Sequence, residues 1–575
     1  MGTMASLVVG FAKMYPEEVD VSDELVESIT FIEPGYTPQQ LVRAGYVAGL
    51  LAFFLPLPLL YFPVPLLPLL VLCMVVSFLV MHGVHTAPHL LAALRRTRAL
   101  GETPDLIGRA VLRMHIQPAT ENAVRFAAET GDGPLASSLE SHIDRSVGTP
   151  ESGLISFAED WAEDFPALRR SSHLLSAAQE APEAERDRTL GRAMSAVLNG
   201  TRDQMAEFTA AIRAPTTALY AFGVMLPLAL VALVPAASLA GYPVSIWFFV
   251  VVYNVVLPLM LIAASIWLLV RRPVAFPPPD VRRSHPDVPD RTWPPFVYGA
   301  VAGVCGTALA IVVGAIHLAP LTGIGLGVGF TLVGYFRPIK EVREYVKDVE
   351  EHLVDALYIV GRQVSENEAV ESAIDHAGQR VPGETGEVFD DAAGIQQRLK
   401  ITVEEAFLGQ YGALQDIPSV RTEGTAALLA IAADEGQPAG QALVSMADHL
   451  EELREVERRT KRKLAAVTGT LTNTASFFGP LVGGATVGLS SGMVGEGASA
   501  IEGGSALPTD LLGIVIGIYI VTLAVILTAL SIALRHGIDR SLIGYKVGRS
   551  LIFAIPVYLI ATVAIGAITG YEPPV

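Results

Sequence analysis

Charge is missing from long stretches of this 575-residue chain, and where it is missing it is missing completely. Residues 45–81, 214–270, 292–336, 464–495, 511–534 and 550–570 contain no Asp, Glu, Lys or Arg. Within them the one titratable group besides thiol and phenol is His317, beside an expected turn. Proton- or ion-coupled transporters and intramembrane peptidases place ionisable groups at membrane depth, so this absence argues against both. Cysteine is nearly absent as well. Cys73 and Cys305 both fall in uncharged runs, which excludes a disulfide framework and leaves them as small apolar packing residues. No Gly-x-x-x-x-Gly-Lys-Ser/Thr loop occurs, so the chain is not expected to hydrolyse nucleotide itself. No nucleophile elbow of the Gly-x-Ser-x-Gly kind is expected either. The reading is of a protein without catalytic residues, metal or cofactor. The N-terminus lacks a basic region followed by a cleavage site, so no signal peptide is expected.

What is present is apolar sequence of spanning length. A spanning helix needs about 20 mostly apolar residues. The run 45–81 is too long for one and carries five prolines near its middle, Pro56, Pro58, Pro63, Pro65 and Pro68. It reads as a hairpin. The run 214–270 divides at Gly241-Tyr242-Pro243, and 292–336 divides near His317-Leu318-Ala319-Pro320. With one span from each remaining run, nine spans result. Threading the chain this way puts all 40 Lys and Arg residues on one face. Positive charge marks the cytoplasmic side, so the N-terminus is expected inside and the C-terminus outside, in a cell membrane.

The net charge of −18 comes from carboxylates crowded into the soluble segments, where Lys is scarce beside Arg. That surface suits a high-salt cytosol and implies a halophilic source, the alternative being an ordinary acidic protein. No nucleic-acid partner is expected.

The order of elements recurs: hairpin, soluble segment, two spans, then the same again, then one further helix. Asp105 matches Asp355, Glu121 matches Glu371, and Ala123 matches Ala373. Farther on, Asp164-Phe165-Pro166 matches Asp416-Ile417-Pro418, Met194 matches Met446, and Pro227-Leu228 matches Pro480-Leu481. Four spans per unit keep both copies in one orientation, a parallel repeat. Apolar residues at three- and four-residue spacing make the soluble segments helical: Val346, Val349, Leu353, Ala356, Leu357 and Val360 form one stripe, and Leu443, Met446, Leu450, Leu453 and Val456 another. The helix through 442–464 runs into the next span without Gly or Pro, so it is expected to be continuous from cytoplasm to membrane. The resulting divisions are an acidic N-terminal segment (1–44), a hairpin (45–84), a cytoplasmic bundle (85–213), two spans (214–270), a linker (271–294), a second hairpin (295–336), a second bundle (337–463), two spans with an external loop (464–534), and a cytoplasmic loop with a ninth span (535–575).

Four groups are site candidates. His82, His85 and His89 share one helix face, but Pro88 interrupts it and no carboxylate or Cys is close, so interfacial imidazoles outweigh a metal site. Gly323, Gly325, Gly327 and Gly329 read as close helix packing before hinges. The polar stripe with Thr472, Asn473, Thr474 and Ser476 needs partners inside the bilayer, either a neighbouring helix of the protein or a passing transmembrane client. The basic clusters Arg458, Arg459, Lys461, Arg462, Lys463 and Arg95, Arg96 mark helix ends at lipid phosphates; beside the bundles they also suit docking of a cytoplasmic partner.

The stretch Ala432-Ala433-Asp434-Glu435-Gly436-Gln437-Pro438-Ala439-Gly440-Gln441-Ala442-Leu443-Val444-Ser445-Met446-Ala447-Asp448-His449-Leu450 resembles the second half of the type II secretion F domain, where a turn around Gly precedes a helix that becomes basic and then enters the membrane. Thr103-Pro104-Asp105-Leu106-Ile107 and Leu353-Val354-Asp355-Ala356-Leu357 are similar to that domain's opening. Glu121-Asn122-Ala123-Val124 and Glu371-Ser372-Ala373-Ile374 are similar to its next element, although the usual preceding Gly is missing from both copies. The resemblance covers roughly 85–495. It implies an all-α polytopic membrane protein with nine transmembrane helices and two cytoplasmic F-domain bundles. Nine spans with two such bundles resemble the archaeal branch, the platforms of the archaellum and of adhesive pili. The resemblance further implies a non-enzymatic, homodimeric platform that binds a hexameric cytoplasmic secretion ATPase. Pilin-like or archaellin subunits would pass through it from the bilayer into a filament. A multi-pass transporter is the more distant alternative.

Overall fold

The computed structural model describes the chain except residues 1, 33, 59–65, 132, 148–151, 234–244, 273–280, 282, 284, 436, 498–508 and 570–575. The expected turns at 62–66 and 241–243 thus lie largely or wholly outside the described residues. Among the described residues every regular element is helical. Among the same residues seven helical stretches are long and apolar enough to cross a membrane: Leu69–His115, Glu185–Ala232, Ile246–Val270, Pro294–Val312, Ile316–Ser365, Thr509–His536 and Arg540–Ile568. Their outer faces bare large apolar side chains, among them Phe78, Phe222, Trp267, Val304, Ile324 and Phe553. Such surface is costly in water and costs nothing in hydrocarbon, so this is a multi-pass membrane protein. Two of the expected spans fall outside the seven. The first coincides with a 16-residue helix, Pro38–Phe53, and the other with a helix rich in Thr, Ser and Gly around 464–497.

The chain forms two compact units, Met1–Leu100 and Gly101–Val575. In the first, α1 (Gly2–Ala12) and α2 (Asp23–Ile32) pack on α3 (Pro38–Phe53) through Leu25, Ile29, Leu41 and Val42. A capping box of Thr37 and Gln40, with Pro38 at the first helical position, starts α3. Helix α4 (Leu66–Gly101) continues through Pro88.

The second unit holds two six-helix bundles and a membrane part. The first bundle is α5 (Thr103–Ile116), α6 (Thr120–Thr130), α7 (Pro134–Ser146), α8 (Gly153–Asp160), α9 (Pro166–Glu180) and α10 (Glu183–Ala211). Helix α11 (Arg213–Tyr220), a π-helical turn at Ala221–Met225, and α12 (Leu226–Ala232) follow. Helix α13 (Ile246–Val251), a second π turn at Val252–Val256, and α14 (Leu257–Val270) complete this half. Next come α15 (Pro294–Val312) and α16 (Ala319–Glu351). The second bundle is α17 (Leu353–Ser365), α18 (Val370–Arg380), α19 (Gly383–Leu399), α20 (Val403–Leu408), α21 (Val420–Glu435) and α22 (Gln437–Asn473). A third π turn at Thr474–Phe478 leads into α23 (Gly479–Gly497), then α24 (Thr509–His536) and α25 (Arg540–Ile568).

In each bundle a glycine of positive φ stands at the start of the third helix. Gly133 (φ 98°) opens α7 and Gly383 (φ 72°) opens α19, a backbone that glycine adopts without a Cβ clash. The second core is Val360, Ala373, Ala377, Phe389, Phe407 and Leu429, with Leu112 of α5 joining it. The bundles abut at Gly108, where an added Cβ would stand 3.5 Å from Met446 and 3.7 Å from Met194.

In the membrane part small residues set the helix spacing. A Cβ on Gly323 or Gly327 would stand 3.1 and 3.2 Å from the carbonyls of Gly303 and Gly299 on α15. A Cβ on Gly329 would stand 3.1 Å from the carbonyl of Gly548 on α25, and one on Gly325 would overlap Ile555. The glycine ladder of α16 therefore serves two neighbours at once, one on each face.

Candidate functional site: the helix joining bundle to membrane

Helix α22 runs unbroken for 37 residues, from the core of the second bundle into the apolar part of the protein. Its buried residues Ala439, Ala442, Leu443, Met446 and Ala447 face α17, and farther along Val456, Leu464 and Leu471 continue the stripe. The close approach to α17 depends on two glycines. A Cβ on Gly440 would come within 2.5 Å of the Ser365 nitrogen, and one on Gly361 within 3.0 Å of Leu443 and Val444. Helices α5 and α10 of the first bundle also pack against α22.

Midway along α22 lies an ionic cluster that sequence reasoning missed. Arg421 of α21 reaches Glu457 at 3.0 Å and Glu350 of α16 at 3.5 Å. Lys461 meets the second oxygen of Glu457 at 2.5 Å, and the Ser419 hydroxyl donates to Glu350 at 2.6 Å. Arg454 donates to the main-chain carbonyls of Glu350 and Glu351, where α16 ends. Burial alone would raise the Glu457 carboxyl, but Arg421 and Lys461 prevail and hold it below its ordinary range. The cluster ties the end of a membrane helix to the bundle and to α22 together. Its parts are far apart in sequence, so spacing alone gives no sign of it.

The expected docking residues divide among different partners. Arg458 and Arg462 are exposed, and Arg462 donates to the Arg458 carbonyl. Arg459 pairs with Glu455 one turn away. Lys461 is held by Glu457, and Lys463 is exposed and lines a crevice beside α11. Arg95 and Arg96 belong to the other compact unit. There Arg95 donates to the Ile32 carbonyl at 2.7 Å, and Arg96 lies 3.5 Å from Glu27 and over the Phe31 ring.

The polar stripe is mostly paired within the protein. Thr472 bonds Ser531 of α24 at 2.7 Å, and Ser476 bonds Ser550 of α25 at 2.8 Å. Thr474 is buried, whereas Asn473 is exposed. Each π turn stands two residues before a proline: Ala221–Met225 before Pro227, Val252–Val256 before Pro258, Thr474–Phe478 before Pro480. Proline has no N–H and its ring crowds the carbonyl four residues back, and the wider turn relieves that crowding. At Pro227 the orphaned acceptor is the Gly223 carbonyl, and the Tyr519 hydroxyl of α24 donates to it. Tyr253 donates to the Pro227 carbonyl at 2.5 Å, and Tyr558 to that of Gly513 at 2.6 Å. These buried phenols satisfy backbone groups that no water can reach.

The remaining candidates separate. His85 lies 3.1 Å from the Val42 carbonyl, His89 lies 2.9 Å from the Ser28 hydroxyl, and His82 stacks on Phe78. His317 occupies a single 3₁₀ turn, 3.5 Å from Asp510. The spacing Gly488-Leu489-Ser490-Ser491-Gly492 does occur, contrary to the expectation of none. It lies inside α23 with Ser490 buried, not at the strand-to-helix turn a nucleophile elbow requires. No family model, curated protein or solved structure matches the chain.

Proposed function

We propose that this chain is the membrane platform of an archaeal type IV filament machine, the archaellum in the first instance, and that α22 is its coupling element. In this reading it is a nine-span homodimer with two F-domain bundles on the cytoplasmic side and its C-terminus outside. A hexameric secretion ATPase acts on the bundles, and pilin-like subunits leave the bilayer along the membrane helices. The observation that carries the reading is the recurrence of one order of elements. Six helices pack as a bundle, the sixth leads toward the membrane, and a π turn two residues before a proline follows. Torque or displacement applied to the second bundle reaches the membrane through α22 without a flexible linker. Exposed Arg458 supplies a surface for carboxylates of the ATPase, beside Arg459 on its i−4 pair. In concentrated salt the Debye length is only a few Å, so packed contacts outweigh long-range steering.

The test is co-purification of the secretion ATPase with detergent-solubilised protein. Arg458→Glu combined with Arg459→Glu is expected to lower ATPase recovery at least tenfold and to abolish filaments while the protein still inserts. Unchanged ATPase recovery with normal filaments would remove α22 as the coupling element. Capture of no ATPase by the unaltered chain would remove the platform reading.

A further inference from the structure

A crevice of about 630 Å³ opens between the α10–α11 junction and the part of α22 that enters the apolar region. Among the described residues its lining carries two cationic side chains, Arg213 and Lys463, and no carboxylate, in a protein whose net charge is −18. Arg213 is the last charge before the uncharged run 214–270, and Lys463 the last before 464–495. Both cations therefore stand at the depth where the chain passes from water to hydrocarbon. Five hydroxyl-bearing residues, Thr209, Thr216, Thr217, Tyr220 and Thr470, line the same crevice, and those of Thr209 and Thr217 already donate to the Met205 and Arg213 carbonyls. Thr216 is only 4% exposed, and its hydroxyl has no hydrogen-bond partner. A buried hydroxyl without a partner is unfavourable, and an acceptor entering the crevice would relieve it. The rest of the wall is apolar, through Val467 and Leu471.

We propose that this crevice binds a phosphate ester, and that its occupant is the headgroup of an anionic phospholipid from the surrounding leaflet. The phosphate sits between Arg213 and Lys463 and accepts the Thr216 proton, and an acyl chain follows Val467 and Leu471 along α22. A guanidinium, an ammonium and hydroxyl donors around one apolar-backed crevice match a phosphate diester, whose oxygens accept and do not donate. A lipid held there would wedge the junction of α10 and α11 against α22. The inference does not depend on the filament reading.

The test uses the purified full-length chain in detergent, with bound lipid counted by native mass spectrometry during titration with phosphatidylglycerol or phosphatidylcholine. One phosphatidylglycerol per chain is expected to be retained about thirtyfold more tightly than phosphatidylcholine, from two basic groups at an interface. Arg213→Gln with Lys463→Gln should erase that preference, whereas Arg462→Gln, exposed and outside the crevice, should keep it. Thr216→Val, which is nearly isosteric, should weaken retention several-fold. Equal retention of the two lipids, or a preference that survives the double substitution, overturns the proposal. Inorganic phosphate at millimolar concentration should not displace the lipid. If it does, the crevice is a soluble-phosphate site and the assignment to a lipid is wrong.

Discussion

The two helices that lead out of the bundles do the same topological job with different mechanics. Helix α10 stops at Ala211, and Ile212 caps both it and α11. Helix α22 passes the corresponding place without interruption. The cause is one residue. Pro215 has no N–H, so the Ala211 carbonyl loses its i+4 donor, and the regular helix lapses at Ile212 alone, whose backbone stays near-helical (φ −77°, ψ −15°). The matching stretch Ala465-Ala466-Val467-Thr468 has no proline. The second helix is also braced by Arg421, Glu350, Glu457 and Lys461, all on its own side of the molecule. Among the described residues the first helix is tied more loosely: Arg202 lies 3.7 Å from Glu452 of α22 with both side chains exposed, and Asp187 lies 3.9 Å from His115 of α5. One half of the molecule thus carries a joint and the other a strut.

Breaking the strut should have the largest effect. Ala466 is exposed on α22, so Ala466→Pro acts through the backbone and not through the core. It should cost about 3 kcal/mol in detergent unfolding and accelerate hydrogen exchange at the neighbouring amides. Unchanged exchange between 466 and 470 would mean that α22 is not a rigid element. Removing the brace comes next. Arg421→Ala leaves Glu350 and Glu457 facing one another without their shared cation, and should cost about 2 kcal/mol, discounted for partial exposure. Glu457→Gln should be milder, because the amide still accepts from Arg421. An equal loss in both variants would make packing, not charge, the source of the brace.

Much of this architecture was legible in the sequence because burial writes a period into it. The stripe Val346, Val349, Leu353, Ala356, Leu357 and Val360 is buried throughout. The stripe conceals a helix boundary, since His352 separates α16 from α17 with no Gly or Pro to mark it. The continuity of α22 followed from the absence of Gly and Pro between 442 and 464. The partners of the polar stripe did not, because Ser531 and Ser550 lie on other helices and no local pattern points to them. The π turns were foreshadowed only by Pro227, Pro258 and Pro480. The tyrosine that satisfies Gly223 sits 296 residues away. The ionic cluster and the crevice beside α11 likewise depend on contacts between elements, which spacing along one element cannot encode.

Acidification should act on the interface between the bundles. His115 of α5 and His449 of α22 are both largely buried. Desolvation holds each below its ordinary value of 6.5, and the nearby His115 further disfavours charge on His449. The facing groups are the Val111 carbonyl, which accepts from His115, Asp187 at 3.9 Å, and Asp448, which also accepts from Tyr358. The sign follows from linkage. The unfolded chain takes these protons as pH falls through 6.5, before the folded chain does, so stability is full above that value and declines below it. The thermal midpoint should therefore fall between a pH of about 7.5 and about 5.5. His115→Asn with His449→Asn should flatten that dependence. An undiminished slope in the double variant would place the titrating groups elsewhere.

The smallest change sharpens the comparison most. Pro215→Ala restores the missing N–H, so the Ala211 carbonyl regains a donor and α10 can run into α11 as α22 does. Net stability should move by less than about 1 kcal/mol, because a gained hydrogen bond is offset by the greater freedom of alanine in the unfolded chain. The informative quantity is local. Amide exchange at Thr216 and Thr217 should slow several-fold if proline alone makes the joint. If exchange there stays fast, the break at Ile212 is imposed by packing of Phe208, Ile212 and Leu219 against the membrane helices. The two halves would then differ by tertiary design and not by one residue.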